Sequence, residues 1–133
     1  MTTWMVIDDE PGIYEMVLAM YETWGFEGLA FVSGEDAMGW IENVDEGRFQ
    51  GDLPQFALLD IRLPGQIDGV MIGARLRQSP YLRDIGIVLM TAFRLDQKQE
   101  KAALKQSGAD LLLYKPLSLT EQRPQFEKLA RRR

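Results

Sequence analysis

Four places in the chain carry side chains that could do chemistry together: Asp8-Asp9-Glu10, Asp60, Thr91 and Lys115. Each follows or ends a short apolar run, so a fold that lays those runs parallel would gather all four at one edge of a sheet. Two carboxylates ~5 Å apart at an effective dielectric of ~20 repel by about 3 kcal/mol, so such a cluster needs a counter-ion. Lys115 brings one positive charge. The chain has no His and no Cys, so the remaining charge suits a hard, oxygen-seeking dication. Mg2+ held by one or two carboxylates, waters and a phosphate oxygen is the natural candidate. The set then holds a carboxylate that can attack, a metal and a lysine to neutralise phosphoryl oxygens, and a hydroxyl for a third oxygen. That is the equipment for covalent phosphoryl transfer to an aspartate.

Composition narrows the alternatives. A chain of 133 residues is the ordinary size of one domain with one core, and residues 1–133 read as a single domain. With 46% hydrophobic and 26% charged residues it is globular in composition. A formal net charge of -5 repels phosphate backbones, which argues against nucleic acid as a direct partner. The missing Cys and His exclude a disulfide framework, a thiolate zinc site, a thiol nucleophile, an imidazole base and a phosphohistidine on this chain. No apolar run approaches the ~20 residues of a membrane span, and Met1-Thr2-Thr3-Trp4 does not begin a signal peptide. The expectation is a soluble, cytoplasmic protein without a membrane partner.

The elements that must position the four sites repeat regularly. Apolar runs Trp4 to Ile7, Leu29 to Val32, Phe56 to Leu59, Ile85 to Met90 and Leu111 to Tyr114 start 25, 27, 29 and 26 residues apart. Each is apolar throughout, as strands covered on both faces are, and each interval has room for a helix. In the first interval Ile13, Met16, Val17, Met20, Tyr21 and Trp24 form a helical stripe, opened by Pro11 and closed by Gly25. Ser33 with Asp36 opens a second helix as a variant capping box, with stripe Ala37, Trp40, Ile41 and Val44, and Asp45 to Pro54 reads as a loop. A third helix begins near Asp68-Gly69 and stops before Pro80. A fourth spans about Asp96 to Ser107 on a thin stripe of Ala102, Ala103 and Leu104, closed by Gly108. The fifth starts near Thr120 and carries Phe126, Leu129 and Ala130, with Pro124 either in its first turn or delaying its start. Five such units predict an α/β fold: one doubly wound, five-stranded parallel sheet with five helices, flavodoxin-like in topology.

These residues match a family pattern. Asp8-Asp9 after Met5-Val6-Ile7, Leu58-Leu59-Asp60-Ile61-Arg62-Leu63-Pro64-Gly65 leading to Asp68-Gly69, Leu89-Met90-Thr91-Ala92, and Tyr114-Lys115-Pro116 resemble the receiver domain of two-component response regulators. The resemblance implies that Asp60 is the phosphoacceptor for a sensor histidine kinase, a histidine phosphotransfer protein or a small phosphodonor. It implies that Asp9, Asp60 and the backbone carbonyl of Arg62 bind Mg2+, with Asp8 acting mainly through metal-bound water. Thr91 and Lys115 would contact the phosphoryl group, and the Lys115–Pro116 bond would be cis. Phosphorylation would switch the surface of the fourth helix, fifth strand and fifth helix for a downstream protein target, and a homodimer is left open. Such a chain is a phosphoacceptor that assists its own phosphorylation and dephosphorylation rather than an enzyme.

The chain departs from that pattern in places. Where receivers commonly carry an aromatic switch residue, three before the Lys, it has Leu112, and Tyr114, two residues on, shares its face of the strand. The positions that influence hydrolysis, two after Asp60 and two after Thr91, hold Arg62 and Phe93, neither of which can accept a hydrogen bond from water, so a long-lived aspartyl phosphate is expected. The loop from Pro64 to Asp68 is one residue longer than the common form. The chain stops at Arg131-Arg132-Arg133 without an output domain; these arginines complement the last helix dipole or begin a linker. Taken singly, Asp8-Asp9-Glu10 reads as a helix cap and Thr91 as a turn hydroxyl; four such coincidences at the right strand ends speak against that. A different class of function is a pseudo-receiver acting as a constitutive docking module. A flavodoxin-like cofactor binder or an aspartate-nucleophile phosphatase is a third, disfavoured by the absence of phosphate-binding glycine motifs and by Arg62 where the phosphatase needs a second acid.

Overall fold

The computed structural model describes residues 2–131. Five parallel strands, β1 (Thr3–Ile7), β2 (Glu27–Phe31), β3 (Phe56–Asp60), β4 (Gly86–Thr91) and β5 (Leu111–Tyr114), form one sheet in the order β2-β1-β3-β4-β5. They alternate with α1 (Pro11–Thr23), α2 (Gly34–Asp45), α3 (Gly69–Gln78), α4 (Gln97–Ser107) and α5 (Leu119–Ala130). The expected architecture is the one observed.

Strand alternation splits the core in two. Met5, Ile7, Ala57, Leu59, Ile87 and Leu89 face α2, α3 and α4, while Trp4, Val6, Phe56, Leu58, Val88 and Met90 face α1 and α5. Only β1, β3 and β4 are buried along their whole length. Contrary to the sequence expectation, β2 and β5 are not fully covered, because they are the sheet edges, and β2 begins at an exposed Glu27.

The helix signals hold with local corrections. Pro11 opens α1, and Gly25 leaves it at φ 87. Met16, assigned to the buried stripe, is 40% exposed; Val17 and Tyr21 carry the burial instead. Ser33 caps α2 by accepting the amide of Asp36, and Asp68 caps α3 by accepting that of Met71. The complete reciprocal box is at α4, where Asp96 accepts the Gln99 amide at 2.7 Å and the Gln99 side chain accepts the Asp96 amide at 2.9 Å. In α4, Ala102 is exposed and the buried positions are Ala103 and Ser107. Ser107 lies against Gly73 of α3, where an added Cβ would come within 2.9 Å. Pro124 lies neither in the first turn of α5 nor ahead of it, since the helix starts at Leu119 and runs through it. It removes one hydrogen bond, but both it and Thr120, whose carbonyl loses the donor, are exposed, so water can substitute. Arg131 caps α5 with its guanidinium 3.6 Å from Glu127, and the Arg132-Arg133 part of the terminal run lies outside the described residues.

Candidate functional site

The C-terminal ends of β1, β3, β4 and β5 converge on one acidic cluster. Asp8 follows β1 and is fully buried; its Oδ1 accepts the amide of Glu10 at 2.8 Å. Asp60 is the last residue of β3, 4% exposed, and its Oδ1 accepts the amide of Arg62 at 3.2 Å. Asp9 is exposed, yet carboxylate oxygens of Asp8, Asp9 and Asp60 lie within 4.8 Å of one another.

Lys115 is the counter-charge. Its Nζ donates to Asp8 Oδ2 at 2.7 Å and to Asp60 Oδ2 at 3.1 Å, and lies 3.6 Å from Glu10 Oε1. The peptide bond from Lys115 to Pro116 is cis, as expected, and the Lys115 amide donates to the carbonyl of Thr91 at 2.9 Å. Thr91 is buried one residue past Met90, the sheet partner of Asp60, and its hydroxyl accepts the amide of Phe93 at 3.1 Å.

The electrostatics follow from that burial. Desolvation pushes the Asp60 carboxyl up to about 6, and the charge of Asp8 adds to the rise, while the Lys115 hydrogen bond opposes it. Burial works against the charge on Lys115, but its bonds to Asp8 and Asp60 outweigh it, and its pKa is raised. One ammonium thus serves two buried carboxylates, with Asp9 and Glu10 close by. Three carboxylates offering hard oxygens at this spacing fit a small dication, whose added charge would relieve the crowding.

Three further placements were not legible from residue types. Gly69 opens α3 directly against β3: an added Cβ would lie 2.1 Å from the carbonyl oxygen of Asp60. Arg62 and Phe93, read separately as flanking residues, touch; the guanidinium carbon lies 3.8 Å from the ring centroid. Tyr114 stands opposite Thr91 in the sheet, donates to Glu100 Oε2 of α4 at 2.7 Å and accepts the amide of Leu95 at 3.3 Å. That bond to Glu100 raises its pKa. Leu112 is apart from the site, packed into the core beneath α3 and α4.

The sequence profile of the response regulator receiver domain matches residues 4–125. The chain belongs to that family. The DNA-binding dual master transcriptional regulator RpaA of Synechocystis is 30% identical over 128 residues, covering 96% of this chain and 48% of that protein. This receiver chain spans about half the length of the curated relatives it matches first. A response regulator of Chloroflexus aurantiacus superposes with a TM-score of 0.78 at 29% identity, covering 97% of each chain. The response regulator TrrA of Thermotoga maritima, solved in complex with Mg2+ and beryllium fluoride, gives 0.75 at 25% identity over 97% of this chain and 99% of that one. No helix among the described residues is long and apolar enough to cross a membrane.

Proposed function

We propose that residues 1–133 form one receiver domain that accepts a phosphoryl group on Asp60 in a Mg2+-dependent reaction and signals by changing its binding surface. The observation that carries this reading is the position of Lys115 Nζ, bonded to both Asp8 and Asp60, with Asp9 completing the acidic set.

In the reaction a carboxylate oxygen of Asp60 attacks phosphorus. The bond from phosphorus to the donor's imidazole nitrogen or acetyl oxygen breaks, and the product is an acyl phosphate on Asp60. Asp9, Asp60 and the Arg62 carbonyl would hold Mg2+ directly and Asp8 through water. When bound, the ion offsets the carboxylate charge and neutralises phosphoryl oxygens. Lys115 is placed to move from the Asp60 carboxylate to a phosphoryl oxygen, since it already donates there. The Thr91 hydroxyl, which accepts the Phe93 amide, can donate its own O–H to a phosphoryl oxygen. Arg62 and Phe93, stacked on each other, flank the approach for hydrolytic water and offer it no acceptor, which favours a long-lived aspartyl phosphate.

The donor is a histidine kinase or histidine phosphotransfer protein in the cytoplasm, and the receiver of the signal is a protein docking on α4, β5 and α5. A constitutive docking module finds no support, because Asp9, Asp60, Thr91 and Lys115 are all kept and brought to one end of the sheet. Incubation with acetyl phosphate and Mg2+ tests the reading: mass spectrometry should show one added phosphoryl group, lost in Asp60→Asn and blocked by EDTA. Undiminished labelling of Asp60→Asn overturns the assignment.

A further inference from the structure

The segment between β3 and α3, Ile61 to Asp68, is held at its far half by a different part of the chain. Glu35, the second residue of α2, accepts the amide of Gln66 on Oε2 at 2.9 Å, and the amide of Ile67 also reaches its carboxylate. Gly65 has φ +86, and a Cβ there would lie 2.7 and 2.8 Å from the two Glu35 oxygens. Gly34 approaches from the helix side, where a Cβ would lie 2.3 Å from the carbonyl oxygen of Ile67. Two glycines therefore let the loop and the start of α2 come closer than side chains would permit. Successive amides after a left-handed residue form an anion-binding concavity, and here the anion is a side chain of the same protein. The Gln66 amide, then the amide of Glu35 itself and that of Ile67, hold the Glu35 carboxyl below the usual range by favouring its charged form.

At its near half the segment is tied to the site. The Arg62 amide donates to Asp60 Oδ1, and the Gly69 amide donates to the Ile61 carbonyl at 3.0 Å. A loop fixed at both ends has fewer conformations to lose when a metal engages its backbone.

We propose that Glu35 is a positioning residue for the Asp60 site: by holding residues 65–67 onto α2 it pre-orders the Ile61 to Asp68 segment, and with it the Asp60 carboxylate and the Arg62 carbonyl. This rests on the phosphoacceptor reading above. It is a role in metal affinity rather than in chemistry, so the phosphorylation rate at saturating Mg2+ stays near the unmodified value.

The test titrates Mg2+ alone into the full chain by calorimetry and follows amide hydrogen exchange at Gln66 and Ile67 without metal. In Glu35→Ala both amides should lose protection and the Mg2+ dissociation constant should rise about three- to tenfold, the range expected for a lost hydrogen bond. Glu35→Gln keeps one acceptor oxygen and should fall between, which also serves if Glu35→Ala folds poorly. Glu42→Ala, exposed on the same helix, should change neither quantity. An unchanged Mg2+ constant in both Glu35 variants despite lost amide protection, or unchanged protection, overturns the proposal. If labelling of Asp60→Asn equals that of the unmodified protein, it is the phosphoacceptor reading that falls. Normal Asp60 labelling with unaffected Glu35 variants removes the positioning role alone.

Discussion

The two ends of the sheet are built on opposite principles. At the C-terminal end, the buried carboxylates of Asp8 and Asp60 share the half-buried Lys115 at 2.7 and 3.1 Å, and the sum of their charges with Asp9 and Glu10 does not balance. At the N-terminal end, Trp4 stacks on Phe26 at 4.2 Å and meets Phe56 at 4.7 Å, and Phe56 meets Phe126 at 4.7 Å. Tyr21 joins this cluster edge-on to Trp4 and donates its buried hydroxyl to the carbonyl of Met5 at 3.0 Å. Aromatic burial of this kind holds the fold together. A crowded acidic pocket works against folding and is useful only when something positive or phosphorylated arrives. The contrast predicts that stability and the proposed phosphoryl transfer can be perturbed separately here, one at each end.

The sharpest break uses one variant at each end. Asp60→Asn should abolish phosphoryl labelling while leaving the metal-free melting temperature at pH 7.5 equal or higher, because one of the crowded charges is gone. Phe56→Ala removes a fully buried ring and should cost about 4 kcal/mol by chemical denaturation. The fraction that stays folded should still label. A destabilised Asp60→Asn, or a Phe56→Ala whose folded fraction cannot be phosphorylated, would dissolve the distinction between the ends.

Next in size is the lifetime of the aspartyl phosphate. Replacing the stacked pair by Arg62→Asn with Phe93→Glu opens the approach and supplies an acceptor for water, so release of inorganic phosphate should accelerate on the order of tenfold. An unchanged or slower rate would show that water access past these residues is not limiting.

A smaller effect comes from pH. Asp60 has its folded pKa raised from 3.8 to about 6, so the folded state holds this proton more tightly than the unfolded chain does. Its contribution to stability is fully present below the unfolded value and is lost as pH rises through about 6. In metal-free protein the melting temperature of the unmodified chain should therefore fall relative to Asp60→Asn between pH 4.5 and pH 7. Saturating Mg2+ should remove that difference in slope; parallel curves without metal would contradict the burial of Asp60 as its cause.

The smallest and most local effect contrasts two helices on the same sheet face. In α3, Gly69, Ile72, Gly73 and Leu76 are buried, and Arg75 pairs with Asp45 at 2.5 Å. In α4 only Ala103 and Ser107 are buried, and Tyr114 reaches it through Glu100. Little burial resists movement of α4. Hydrogen exchange with and without beryllium fluoride should change most between Ala92 and Gly108, and Gly69 to Gln78 should change least. Equal protection of both helices in both states would refute α4 as the moving element.

The sequence by itself determined the five strand-helix units and the polar residues at their strand ends, because apolar periodicity and capping chemistry are local. Asp8, Asp9, Asp60, Thr91 and Lys115 could be picked out for the same reason: each sits at the end of a legible run. What separation in the chain hides was left to the tertiary structure. Which strands become edges decided that β2 and β5 are half-covered, and no run of residues states its neighbours. Met16 lies in an apolar stripe yet faces solvent, because exposure depends on where α1 meets the sheet. The stacking of Arg62 on Phe93, the reach of Tyr114 to Glu100 and the bond from Glu35 to Gln66 join residues 31, 14 and 31 positions apart, and only packing brings such pairs together. The raised Asp60 carboxyl belongs with them, since its cause is desolvation, a property of the assembled interior that no residue type carries alone.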